Sequence, residues 1–260
     1  MIWNAKCEAC EYSISSSFQM LVALSPQSTK EEEQMSHIPY ASAVGSIMYA
    51  MVCTRLDISQ AISMVSRYMG NPGKMHWQAV KWILRYLRGP KDIGLVFHKN
   101  HNTCSNIVGY VDSDYTGDLD KRISQTRYVF MLSESAISWK ATLQSTIALS
   151  TTEGEYMAAA ETVKEAIWLR SLVDNLGLKQ DIIVVYYDSQ SAIHLSKNQM
   201  YHERTKHIDV RYHFLREIIS QGNIIVRRIG TSDNAADMFT KTILVSKFQH
   251  CLDIIGVCII

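Results

Sequence analysis

No charge of one sign dominates this chain: 26 Lys and Arg stand against 25 Asp and Glu over 260 residues, a formal net charge of +1. Global charge therefore announces no polyanion partner, and any nucleic-acid surface must come from local clustering. No disulfide framework is visible in the six cysteines, at 7, 10, 53, 104, 251 and 258. Cys7-Glu-Ala-Cys10 is a lone C-x-x-C without a second pair at metal spacing, and reads as two reduced thiols near a terminus. No basic-then-apolar leader opens the chain, and no stretch approaches the roughly 18 uninterrupted apolar residues of a membrane span. Internal repeats and low-complexity segments are lacking as well. These absences predict a soluble intracellular protein, cytoplasmic or nuclear and not secreted. What is present is 47% apolar residues, the share of an ordinary globular protein, in a chain long enough for one large domain or two modest ones.

Periodicity divides the chain. Residues 1–38, with Ser25-Pro26-Gln27-Ser28 and Glu31-Glu32-Glu33, read as an N-terminal tether. Over 39–98 the apolar residues fall at helical spacing: Val44, Ile47, Met48, Met51 and Val52, then Ala61, Ile62, Met64, Val65 and Tyr68. After Asn71-Pro72-Gly73 a third helix turns Trp77, Val80, Ile83, Leu84 and Leu87 inward and stops at Gly89-Pro90. From about 93 the period changes. Short β-like runs at 93–97, 107–112, 127–132 and 136–140 precede a long helix at 152–175 with a stripe of Tyr156, Ala160, Val163, Ile167 and Leu172. A strand at 182–187, helices near 189–197 and 207–220, a strand at 223–229 and a late helix holding Asp237 complete the order. Hairpin-rich strands followed by alternating helices and strands predict an α/β protein: a mixed sheet flanked by helices over 99–243, preceded by a small helical unit and followed by a C-terminal helix or tail over 244–260.

Four acids sit where these elements start or stop. Asp112 closes Ile-Val-Gly-Tyr-Val-Asp, and Asp188 closes the similar run Ile-Ile-Val-Val-Tyr-Tyr-Asp. A strand terminus delivers a carboxylate to the rim of the sheet, where open α/β sheets place their sites. Glu155 lies in the first turn of the long helix, where Ser150-x-x-Glu153 and Thr152-x-x-Glu155 both fit a capping box, so either glutamate has a structural explanation. Asp237 has one too, since an acid early in a helix is favoured by the macrodipole. Together, four carboxylates at one sheet edge would bind divalent cations. Two such cations, about 3.5–4 Å apart, activate water and stabilise the attacking and leaving oxygens of a phosphodiester. The acids repel one another until metal binds.

Around these acids a resemblance becomes specific. Gly109-Tyr-Val-Asp-Ser-Asp-Tyr-Thr-Gly-Asp-Leu-Asp, Ser138-Trp-Lys, Ala148-Leu-Ser-Thr-Thr-Glu-Gly-Glu-Tyr, Glu165-Ala-Ile-Trp-Leu-Arg, Tyr187-Asp-Ser-Gln-Ser-Ala, Arg204-Thr-Lys-His-Ile-Asp-Val-Arg-Tyr-His and Asn234-Ala-Ala-Asp-Met-Phe-Thr-Lys follow one another in the order of the ribonuclease H domain of copia-type retrotransposon Pol polyproteins, which the chain resembles. Pro39-Tyr-Ala-Ser-Ala-Val-Gly-Ser, Asn71-Pro-Gly, His76-Trp and Ile83-Leu-Arg-Tyr-Leu-Arg-Gly resemble the end of the same polyprotein's reverse transcriptase. The resemblance implies a ribonuclease H-like fold and a two-ion Mg²⁺ or Mn²⁺ endonuclease for the RNA strand of RNA–DNA hybrids. Asp112 would bridge the ions, Asp237 would hold the one that activates water, and Glu155 and Asp188 the one beside the leaving group. Asp114 rivals Asp112 because it shares its strand face; Glu153 rivals Glu155. Gly154, Leu56 and Tyr187 stand where the family usually has alanine, proline and cysteine. No Tyr-x-Asp-Asp turn is present, so no polymerase activity is expected.

Lys81, Arg85 and Arg88 share a helix face that is either a solvated surface or a phosphate track. Lys121, Arg122, Arg127, Arg204, Lys206 and Arg211 could extend it, and the resemblance adds Gln125, Ser189 and Gln190 as substrate contacts. Hybrid recognition would depend on backbone, groove shape and 2′-hydroxyls. His202, His207 and His213 fit no common zinc spacing. The expected partners are an RNA–DNA hybrid and the remainder of a Pol polyprotein, with no membrane. The rival reading is a catalytically inactive nucleic-acid-binding remnant.

Overall fold

The computed structural model describes residues 20–89, 93–97, 106–178, 180, 182–188, 209–239 and 244–259. The helical unit holds α1 (Thr29–Ser36), α2 (Tyr40–Cys53), α3 (Ser59–Ser66) and α4 (Lys74–Arg88), with a 3-10 turn at Leu56–Ile58. Strand β1 (Ile93–Leu95) follows, then β2 (Ile107–Asp118), β3 (Ile123–Leu132), β4 (Ser135–Leu143), α5 (Thr151–Asn175), β5 (Ile183–Tyr187), α6 (Asp209–Ser220) and β6 (Ile224–Arg228). A 3-10 turn at Ala235–Phe239, α7 (Val245–Ile254) and β7 (Val257–Ile259) complete the chain. The helix expected near 189–197 lies outside the described residues, and Asp237 sits in the 3-10 turn.

Five strands form one sheet in the order β4-β3-β2-β5-β6. β2, β3 and β4 make an antiparallel meander, while β5 runs parallel to β2 and β6 parallel to β5. A meander extended on one side by two parallel strands, with α5 and α6 as the crossing helices, is the arrangement of the ribonuclease H fold. Register then sets the site. Val111 pairs with Tyr187 across the parallel β2–β5 contact, so Asp112 and Asp188 follow side by side where that pairing stops; Asp188 lies just past β5, whereas Asp112, expected at a strand end, lies inside β2, which runs on to Asp118 against β3.

Each sheet face is covered. On one, α5 and α6 bury Ile107, Val111, Phe130, Tyr156, Val163, Val185 and Leu215 in one core. Gly109 permits this packing, because a Cβ there would lie 2.6 Å from the Phe130 ring. On the other face Val129 and Met131 meet Ala235, Met238 and Phe239 of the 3-10 turn, Phe248 and Leu252 of α7, and Leu56 of the helical unit. The helical unit has its own core of Val44, Ile47, Ile62, Val80, Ile83 and Tyr86. Beneath it, Arg55 and Asp57 form a buried ion pair at 2.7 Å, and Tyr86 donates to Asp57 at 2.8 Å. Of the residues expected inward, Leu84 and Leu172 are exposed, as are Met48 and Val52 on α2.

The helical unit and the sheet are joined. Trp139 Nε1 donates to the Met51 carbonyl at 3.1 Å, Arg67 Nη1 to the Gly117 carbonyl at 3.0 Å, and Tyr68 Oη to Asp120 at 3.0 Å. Residues 20–38, expected as a tether, contain α1 and bury Met20 and Met35; Val22 N donates to Asp120 at 3.0 Å. Their sparse apolar side chains are enough because Met20 joins the core built by α2, α3 and α4. β1 pairs with β7, which ties the segment after α4 to the C-terminal strand.

Candidate active site

Asp112, Asp188 and Asp237 each offer a carboxylate oxygen, and these atoms all lie within 4.8 Å of one another. The first two arrive through strand register. Asp237 arrives through Asn234, whose Nδ2 donates to the Val111 carbonyl at 3.0 Å and whose Oδ1 accepts from Ala236 N at 3.1 Å. Asn234 therefore ties the 3-10 turn to β2 one residue before Asp112. The local sequence signal for this role is the residue type itself, since an Asn side chain accepts from the backbone N–H two residues on in an Asx turn.

Asp112 and Asp237 are each about 1% exposed, and Asp188 is half-buried. Lys247 of α7 forms an ion pair with Asp237. Three oxygen donors this close suit a hard divalent cation, and a cationic side chain already drawn to one of them shows the sign of charge the cluster attracts.

The remaining candidates fall differently. Glu155 is half-buried on the α5 side of the sheet edge and lies outside the three-carboxylate group. Burial first, and the Glu155 charge second, push the Tyr187 phenol far above its usual range, which puts Glu155 near the residue that precedes Asp188. Glu153 is engaged in capping: its Oε2 accepts from Leu149 N at 2.7 Å, and its own N donates to Ser150 Oγ at 3.2 Å. Gly154, between them, leaves room for α5 to approach the sheet, since a Cβ there would sit 3.2 Å from Ser113 Oγ. Asp114 is half-buried and acts with Asp112 on Arg127.

Gln125 and Arg127, expected as substrate contacts, are each about 1% exposed and do not reach solvent. They point to the face that the 3-10 turn and α7 cover, with Arg127 directly across from Asp112 and Gln125 across from Asp114. Arg127 donates to Gln125 Oε1, and burial pushes its guanidinium down to about 9 against the opposing pull of Asp114 and Asp112. On α4, Arg85 and Arg88 are exposed and Lys81 is half-buried; Arg85 lies over the Trp82 ring at 4.9 Å. Lys121 and Arg122 are exposed at the β2–β3 hairpin, and His213 is exposed on α6. Ser189, Gln190, Arg204, Lys206, His202 and His207 lie outside the described residues, as does the side chain of Arg211. Among the described residues no helix is long and apolar enough to cross a membrane.

Strand order and a carboxylate cluster at the end of the parallel pair define a ribonuclease H-like domain. The chain is 54% identical over 231 residues to the retrovirus-related Pol polyprotein from transposon TNT 1-94 of Nicotiana tabacum, covering 89% of this chain and 17% of that polyprotein. It is 38% identical over 219 residues to the polyprotein from transposon RE2 of Arabidopsis thaliana, covering 84% of this chain and 15% of that one. Over most of its length the chain is homologous to copia-type retrotransposon Pol polyproteins, and it spans less than a fifth of the length of these relatives. No protein-family model matches it. Among solved structures, an LC11-RNase H1 isolated from compost is similar with a TM-score of 0.40 and 16% identity, covering 52% of this chain and 92% of that one. The fold assignment rests on the strand order.

Proposed function

We propose that this chain hydrolyses the RNA strand of RNA–DNA hybrids endonucleolytically, as the ribonuclease H part of a Pol polyprotein, and that it has no polymerase activity. The observation that carries the reading is the convergence of Asp112, Asp188 and Asp237 from three separate elements, with oxygens within 4.8 Å. On this reading these three, with Glu155, would hold two Mg²⁺ or Mn²⁺ ions. Bound there, such ions supply a nucleophilic hydroxide at neutral pH and neutralise charge on the reacting phosphate. The chain's own residues keep the oxygens converged: β2 and β5 fix Asp112 and Asp188, and Asn234 fixes the turn of Asp237. Glu153 maintains the helix start from which Glu155 projects. Exposed Arg85, Arg88, Lys121 and Arg122 are proposed to meet the phosphate backbone, a contact that would weaken with salt. We assign 39–98 to the polymerase-derived helical unit and 99–243 to the nuclease unit.

The test is cleavage of a labelled RNA–DNA hybrid with Mg²⁺, with Mn²⁺ and with EDTA, beside an Asp188→Asn variant. Metal-dependent cutting of the RNA strand is expected, reduced in the variant by more than the roughly 100-fold seen when outer partners of metal ligands are removed. A folded wild-type chain that binds hybrid and cuts nothing would instead describe a catalytically inactive remnant.

A further inference from the structure

Two cationic side chains stand against the carboxylate cluster, and they differ in how they can leave it. Arg127 faces Asp112 across the β2–β3 pair, is about 1% exposed, and has Nε and Nη1 buried with no acceptor among the described residues. It is sealed under the layer that carries Asp237, and its charge is a fixed part of the site. Lys247 enters from α7, with its Nζ in an ion pair with Asp237 Oδ2. The Asp237 side chain is 1% exposed, whereas that of Lys247 is 25% exposed, so the long lysine stem has a way out to solvent that the carboxylate lacks.

We propose that Lys247 is the exchangeable counter-cation of the centre: its ammonium neutralises Asp237 when no metal is bound, and divalent-cation binding displaces it. This rests on the metal-dependent reading above. A lysine ammonium packed against Oδ2 occupies the space a metal would need at that oxygen, and its +1 charge repels an incoming divalent cation, strongly in a buried setting. Clustered carboxylates without a counter-charge would repel one another and loosen the apo site; Lys247 and Arg127 hold it together. The consequence is a weakened affinity for free metal. It also couples metal to substrate, because a displaced ammonium at the rim is placed to pair with a phosphodiester oxygen. A backbone that engages Lys247 thus frees Asp237 for metal. The structural alternative is that the ion pair only anchors α7 to the 3-10 turn.

Direct Mn²⁺ binding, read by electron paramagnetic resonance on the full chain without nucleic acid, separates these. Lys247→Gln is expected to bind Mn²⁺ roughly tenfold more tightly than wild type, and Lys247→Arg, which restores a charge, to stay close to wild type. Lys247→Met repeats the measurement if the glutamine variant does not fold. Equal or weaker Mn²⁺ binding by the uncharged variant, with a lower melting temperature in EDTA, would leave only the anchoring role and overturn the inference while the nuclease reading stands. No Mn²⁺ binding by either wild type or Lys247→Gln would overturn both.

Discussion

Leu56 belongs to the helical unit in sequence and to the ribonuclease H-like unit in packing. It is fully buried in the core formed by Val129, Met131, Phe239 and Leu252, beneath the 3-10 turn that presents Asp237. Leu56→Ala removes three carbons from that contact. The transfer term alone is about 2.4 kcal/mol at about 0.8 kcal/mol for each carbon. The cavity term moves the total towards the upper part of the range of about 2–5 kcal/mol, because the sheet on one side cannot collapse inwards. If the two units share this core, urea unfolding shifts to lower midpoint in one transition. Far-UV circular dichroism and tryptophan fluorescence should shift together, because Trp77 and Trp82 lie in α4 while Trp139 and Trp168 lie in β4 and α5. Metal affinity should fall as well, because the seat of Asp237 loosens. A loss below about 1 kcal/mol, far under the usual cost of such a cavity, or two transitions of which only one moves, would refute the shared core.

Two further changes probe the site's surroundings. Glu153→Ala should destabilise by about 1 kcal/mol in thermal melts, the usual worth of a cap, while leaving metal-dependent cutting intact; loss of cutting in a folded variant would move the acid role from Glu155 to Glu153. Burial holds the His76 imidazole below its ordinary 6.5, so the native state keeps it neutral. The unfolded chain takes up the proton first as pH falls, and stability is therefore full above 6.5 and is lost below it, by at most about 1.4 kcal/mol for each pH unit. Melting temperature measured from pH 7 to pH 5 should show this fall in wild type and a shallower one in His76→Asn; parallel curves would clear His76 of the effect.

Asp112 and Asp188 were legible from sequence because each ends an apolar run; for Asp188 that is the end of β5, whereas β2 continues past Asp112 to Asp118 as a polar stretch still paired with β3. Their contact depended on β2 and β5 being neighbours and parallel, which the family order supplied and periodicity did not. The capping competition at the start of α5 was visible but undecidable, since both glutamates had a serine or threonine three residues ahead. Arg127 shows a deeper limit. Alternation places it on one face of β3, but whether that face meets water depends on the Ala235–Phe239 turn and α7, more than 100 residues away in sequence. A basic residue there reads as surface by composition and is sealed by tertiary packing. Leu84 and Leu172 err in the opposite direction: each lies at helical spacing, at the margin of a stripe too wide for the core it meets.

The three carboxylates are not held alike, and that difference connects the helical unit to the chemistry. Asp112 and Asp188 come with the sheet: main-chain pairing of Val111 with Tyr187 fixes the relative position of their backbones. Asp237 comes with a second layer, attached by the Asn234 bond to the Val111 carbonyl and by apolar contacts that include Leu56. A ribonuclease H-like sheet stripped of its preceding helices would retain the first two acids in register but would lose part of the floor under the third. If the cluster is the catalytic centre proposed above, where a misplacement of about 1 Å can cost about 100-fold in rate, the helical unit supports it without supplying a ligand. Leu56 packs under the Asp237 turn in the same core as α7, which carries Lys247 to the Asp237 carboxylate.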